Sequence, residues 1–312
     1  MLYLSGKELL LFFGLLIVVP SSLSSVGDFS LLWENYQTKF GATATLIPSR
    51  AALGNYFWNW WDYALLLVFG GIPWQVYFQR VLSAKDEKTA MWLSIFAGFI
   101  CLLAAVPAVI IGMIGATFDW TAAGLMPPSD AATTLPHVIR YLCSPTVATI
   151  GLGAIAAAVM SSVDSSILSA SSMSGWNIYR PIFKPSISSA GLAKIIKRII
   201  GIIGVAATLI ALRVGSVYEL WFLCSDFVYC LLFPALVCAL FDPRSNRTGA
   251  IAGFVVAAIL RFGGGDPTLG IPIFLPYPMI ENGVILFPFR TLAMLSGLIT
   301  IFVVSRLMSF RK

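Results

Sequence analysis

Eight stretches of this chain run for roughly 17 to 38 residues with little or no charge, and few folds can hold such stretches. Crossing a hydrocarbon core takes about 20 mostly apolar residues as a helix, so each is a candidate span. They lie at about 8–26, 56–79, 89–117, 142–179, 193–213, 217–241, 248–264 and 288–309. Composition agrees: of 312 residues 58% are hydrophobic and only 11% charged, with a mean hydropathy of +0.88, outside the range of soluble domains. The chain reads as an all-α integral membrane protein, a single polytopic domain over 1–312 with the lipid bilayer as its solvent. The fourth stretch exceeds one crossing, so its last turns should extend past the membrane or bend. The first follows Met1 almost directly, but Pro20, Ser21 and Ser22 give no small-x-small cleavage pattern, and it reads as a retained span.

Charge then sets orientation. The net charge of +6 suggests a nucleic-acid partner only until the basic residues are placed, because they form no patch that follows a phosphate backbone. With a cytoplasmic N-terminus, alternation through eight spans puts only Lys39, Arg50, Arg140, Arg213, Arg261 and Arg290 outside, and the other fourteen of the twenty Lys and Arg inside. That asymmetry follows the positive-inside rule and places both termini in the cytoplasm. Cys101, Cys224, Cys230 and Cys238 fall in predicted spans and Cys143 alone is near an outer loop, so no disulfide framework is implied. Asn246-Arg247-Thr248 matches a glycosylation acceptor but falls on the cytoplasmic side, where it is a chance match. The longer outer loops, about 27–55 and 118–141, read as lids or connectors.

Two spans are irregular. The second contains Gly70-Gly71-Ile72-Pro73-Trp74-Gln75 at mid-membrane depth. Proline lacks a donor and clashes with the preceding turn, and adjacent glycines lower the cost of unwinding, so the helix should break there. A break in a membrane is tolerated where it lines a cavity or packs in protein, and in secondary transporters it marks the binding site. Gly71, Trp74 and Gln75 are therefore candidate substrate contacts, the Trp74 ring being suited to a quaternary ammonium ion; a plain proline kink is the bland alternative.

The fourth span carries AAVMSSVDSSILSASS, Ala157 to Ser172. Residues three and four apart share a helix face, so Ala158, Ser161, Ser162, Ser165 and Ser169 line one side, with Asp164 one turn from Ser161. Hydroxyls beside a carboxylate make an oxygen-rich set suited to a small hard cation such as sodium. An intramembrane carboxylate usually marks an ion path, whereas Ser171, Ser172 and Ser174 read as packing residues. Asp226 reads either as a gate or as a structural partner. His137 is the only histidine and no nucleophile and base pair is evident, so the chain does not read as an enzyme.

Gly70 to Ser83 (GGIPWQVYFQRVLS) and Ala156 to Ser172 closely resemble the choline carriers of the sodium:solute symporter family, and Tyr218 to Tyr229, Thr248 to Gly253 and Phe287 to Met294 look similar too. The resemblance implies a sodium- and chloride-dependent choline uptake carrier in the plasma membrane of cholinergic nerve terminals, feeding acetylcholine synthesis, with no cofactor. It implies a leucine-transporter-like inverted-repeat fold, incomplete here: the second repeat plus flanking helices. Family sodium sites map onto Ala158, Ser161 and Ser162, a second cation position onto Asp164 and Ser165, and one wall of a choline cage onto Trp74. Members have about thirteen spans and the chain resembles roughly the last eight, so a fragment or short isoform is implied. The alternatives are a sodium symporter for another small organic solute and a non-transporting protein that modulates full-length carriers; a homo-oligomer stays open.

Overall fold

A computed structural model describes residues 6–45, 47–212 and 217–309. Arg213, Arg311 and Lys312, counted above for orientation, lie outside the described residues. In chain order the helices are α1 (Gly6–Leu23), α2 (Phe29–Phe40), α3 (Arg50–Leu53), α4 (Phe57–Gly70), α5 (Gln75–Leu82), α6 (Glu87–Thr117), α7 (Ala131–Leu142), α8 (Pro145–Met173), α9 (Ser189–Ala211), α10 (Val217–Phe227), α11 (Phe233–Phe241), α12 (Arg247–Gly263) and α13 (Phe289–Ser309). A small antiparallel hairpin, β1 (Ile280–Glu281) and β2 (Val284–Ile285), precedes α13.

Local chemistry sets these ends. Asp28, Asp86 and Asp130 each accept a backbone amide three residues on, which starts α2, α6 and α7. Proline opens α8, where its missing amide costs nothing. The long polar helix continues past Met173 as a wider, π-helical stretch to Phe183. Ser171 and Ser174 return their hydroxyls to the carbonyls of Ile167 and Ala170, so neither offers its hydroxyl proton elsewhere. The stretches read as loops hold helix: α2 and α3 in the first, α7 in the second. In α7 a reciprocal cap explains this, since Asp130 accepts the Thr133 amide while the Thr133 hydroxyl accepts the Asp130 amide. Asn246 caps α12, its side-chain oxygen accepting from Gly249 and its amide donating to the Ser305 carbonyl.

Among the described residues, five helical runs are long and apolar enough to cross a membrane: Arg50–Leu82, Glu87–Thr117, Pro145–Phe183, Leu220–Phe241 and Phe289–Ser309, with Phe13–Leu23 a shorter apolar helix. The chain forms two compact units. One takes residues up to Pro48 and Gln79–Val205; the other takes Ser49–Phe78 and the residues from Ala206 on. The first has its core where Val18, Leu32, Ile111, Ile114, Val138 and Ile139 meet from α1, α2, α6 and α7. In the second, Leu66, Tyr229, Cys230, Ala257, Ala293 and Met294 bring α4, α12 and α13 onto the turn between α10 and α11. Helices α12 and α13 approach through glycine: a Cβ at Gly253 would lie 2.7 Å from the Gly297 carbonyl oxygen, the close backbone contact that small residues permit in membrane bundles.

Candidate functional site

In the second unit the helix that starts at Phe57 stops at Gly70 and restarts at Gln75. The Ile72 amide still reaches back to Phe69 at 3.2 Å, Pro73 has no amide to give, and regular bonding resumes with Phe78 donating to the Trp74 carbonyl at 3.3 Å. Gly71 is exposed, and Trp74 and Gln75 are half-buried. Gly70 is buried, and a Cβ there would sit 2.8 Å from the Ser225 carbonyl oxygen. The first half of the broken helix thus seats directly on α10, which only glycine allows.

That half is also tied by charge. Asp62 is fully buried, and its Oδ1 accepts the Thr291 amide (2.7 Å) and hydroxyl (2.6 Å) while Oδ2 accepts the Arg290 amide (3.2 Å). A carboxylate of α4 therefore caps the N-terminus of α13, where free amides and the helix dipole both favour an anion. Beside it, Asp226 Oδ2 accepts from Arg261 Nε at 2.6 Å and from Arg290 Nε at 3.0 Å, and Arg261 Nη2 reaches Asp266 at 2.7 Å. Arg290 also donates to the Tyr63 hydroxyl at 3.1 Å and lies over that ring, 4.4 Å from its centre. Asp226, Arg261 and Asp266 are at most 4% exposed, so these charges hold only because each is paired.

Sequence reasoning found Asp226 and left its role open; here it is a structural partner at the centre of a charge cluster. It missed Asp62 and Asp266, and it placed Arg261 and Arg290 among outer-face charges. The available signal was an arginine set among apolar residues in the last turn of a membrane helix, which needs a buried counter-ion.

The polar stripe lies in the first unit, on the unbroken part of α8. Ala158, Ser161 and Ser165 are half-buried, and Ser162 and Asp164 exposed. By helical geometry the first four share one face, with Asp164 at its edge. Arg80 Nη2 donates to Ser165 Oγ at 3.4 Å, bringing a guanidinium to the lower end of the stripe. The structure thus groups the predicted cation residues on one helix and Gly71, Trp74 and Gln75 at one helix break, each set within its own unit.

Comparison with known proteins gives this arrangement relatives. The chain is 47% identical over 257 residues to the high-affinity choline transporter 1 of Caenorhabditis elegans, covering 79% of this chain and 45% of that protein. It is 42% identical over 314 residues to the high affinity choline transporter 1 of Homo sapiens, covering 96% and 53%. It therefore spans about half the length of these relatives. Among solved structures, the substrate-bound outward-open state of a Na+-coupled sialic acid symporter superposes with a TM-score of 0.74 at 20% identity, covering 96% of this chain and 60% of that one. The fold is accordingly leucine-transporter-like. The sequence profile of the sodium:solute symporter family matches residues 6–257, and the chain belongs to that family.

Proposed function

We propose that this chain takes part in sodium-coupled, chloride-dependent choline uptake that feeds acetylcholine synthesis, as a multi-pass protein of the presynaptic plasma membrane with both termini cytoplasmic. The observation that carries the reading is the helix break with Trp74 at its edge, in a chain whose relatives at 42–47% identity are named choline transporters. A quaternary ammonium ion has no N–H to donate, so a ring face is its natural partner, and Trp74 supplies one between the unwound backbone at Gly71 and the helix that restarts at Gln75. Ala158, Ser161 and Ser162 form the sodium position on α8, and Asp164 and Ser165 a second cation position. Ser161, Ser162, Ser165 and Asp164 offer hydroxyl and carboxylate oxygens, the hard set that fits a small cation.

Coupling needs no covalent step. Sodium and choline favour the same conformation, and each thereby raises the affinity for the other. The test is uptake of labelled choline, with and without external sodium, by cells that lack an endogenous carrier and express this chain. Sodium-dependent uptake is expected. Ser162→Ala and Asp164→Asn weaken sodium activation, and Trp74→Leu reduces choline affinity more than sodium activation. Unchanged sodium activation in both α8 variants would sink the cation assignment, and equal loss of both ligands in Trp74→Leu would remove the tryptophan from the choline site.

A further inference from the structure

The sequence between Asp164 and Glu219 contains no carboxylate, yet Arg180, Lys184, Lys194, Lys197 and Arg198 crowd into its middle. They flank the bend that joins the π-helical end of the polar helix to α9. The Ile187 amide donates to the Lys184 carbonyl at 3.1 Å, and Ser188 Oγ accepts the Gly191 amide at 3.2 Å, which starts α9. None of these basic residues has a part in the transport reading.

Helix α9 has two faces. Buried Leu192 and half-buried Ile195, Ile196 and Ile199 form one, and the backbone of Gly175 seats against it: a Cβ there would lie 2.6 Å from Ile196 Cγ1. By helical geometry Lys194, Lys197 and Arg198 point the other way, and all three are exposed. This outward face changes chemistry along its length. One turn beyond Arg198 stand Gly201 and Ile202, and one turn beyond those Val205, all exposed, with no charge from Ile199 to Val205. Basic and then apolar on one exposed stripe is the order a helix meets in passing from headgroups into acyl chains. The positive-inside rule asks only that charges lie in the loop, and does not require them on this face. The other side of the bend fits the same depth. Trp176, Ile178, Ile182 and Phe183 are exposed on the π-helical stretch, and the Arg180 guanidinium lies over the Trp176 ring, 4.9 Å from its centre. An indole paired with a guanidinium suits the boundary between lipid and water.

Charge complementarity selects an anion for this face. A free anion would leave Ile202 and Val205 uncovered, whereas an anion joined to acyl chains covers both.

We propose that the outward face of α9 from Lys194 to Val205 is a binding seat for an anionic phospholipid, with the headgroup on Lys194, Lys197 and Arg198 and an acyl chain on Ile202 and Val205. Arg180 and Lys184, across the bend, add positive charge near the headgroup. With the charge-based orientation the seat faces the cytoplasmic leaflet, where anionic lipids concentrate. Nothing in this assignment draws on choline transport.

The test places the full chain, freed of its five native cysteines and carrying a bimane fluorophore on Gly201→Cys, in nanodiscs. A side chain at 201 meets open space. The discs are phosphatidylcholine in which about 20% of the lipid is chain-brominated phosphatidylserine or, in the matched sample, chain-brominated phosphatidylcholine. Phosphatidylserine is expected to quench as a lipid that associates with the face about tenfold more strongly than phosphatidylcholine. The combined Lys194→Gln, Lys197→Gln and Arg198→Gln change erases that excess while quenching by phosphatidylcholine persists. Of the milder changes, Arg198→Gln alone lowers the excess and Arg198→Lys keeps it. Equal quenching by the two lipids in the parent overturns the proposal. So does an equal phosphatidylserine excess with the fluorophore on Leu102→Cys, an exposed position of α6, because the effect would then be general surface charge. Loss of the excess on adding inorganic phosphate at constant ionic strength assigns the basic residues to a soluble anion, and absence of quenching by either lipid assigns the face to a protein contact; each also overturns the lipid seat.

Discussion

Asp62 shows at the scale of one residue what holds the second unit together. Its carboxylate accepts two backbone amides and a hydroxyl from the start of α13, so Asp62→Ala strands the two part-buried amides and leaves the Thr291 hydroxyl with Tyr229 alone. Thermal unfolding of the purified protein in detergent is expected to show a loss of about 2–4 kcal/mol. Asp62→Asn, which keeps one acceptor oxygen, loses less. Arg261 satisfies two carboxylates at once, and Arg261→Leu, which strips Asp266 of its guanidinium and leaves Asp226 with Arg290 alone, is expected to cost about 3–5 kcal/mol by the same measurement. Arg261→Lys recovers only part, because an ammonium lacks the planar fork that spans Asp226 and Asp266. Little of this was legible in the sequence. Asp226 stood out as a carboxylate near a membrane, but its partners lie 35 and 64 residues away, and no local pattern encodes such a pairing. Asp62 sits directly after the aromatic run Phe57-Trp58-Asn59-Trp60-Trp61, where tryptophans at a span end are the expected interfacial residues, and nothing local marks it as a buried cap.

Secondary-structure elements were read more faithfully where backbone chemistry is local. The break between α4 and α5 follows from Gly70, Gly71 and Pro73 alone, while the seating of Gly70 on Ser225 needed the structure. Gly70→Ala places a methyl 2.8 Å from that carbonyl, and overpacking of this kind is expected to lower stability by about 1–3 kcal/mol, seen as a lower melting temperature. The helix α7 was read as a loop because proline, threonine and alanine dominate its neighbourhood. Its start signal, Asp130 with Thr133 three residues on, was present but short. The Thr133 amide holds the Asp130 carboxyl below its ordinary value, so the cap stabilises α7 above about pH 4 and is lost as pH falls through the depressed value. Hydrogen exchange at the first turn of α7 is expected to be faster in Asp130→Ala than in the parent at neutral pH. The gap closes in strong acid.

Across the whole molecule, each compact unit takes two separate stretches of sequence. A scan for shifts in composition cannot find such a boundary, since both sides are equally apolar. Orientation is a property of this scale as well. In a background without the five native cysteines, Thr121→Cys is expected to react with an impermeant maleimide on intact cells, and Ser186→Cys only after permeabilisation. The reverse pattern would invert the charge-based orientation. The cap that Asp62 places on α13 also has a consequence for biogenesis. A ribosome delivers Asp62 to the membrane more than two hundred residues before Thr291, and Asp226 ahead of both Arg261 and Arg290. During synthesis the carboxylates therefore wait for their partners. A nascent chain halted before Phe289 retains the acids without Arg290 or the amides of α13.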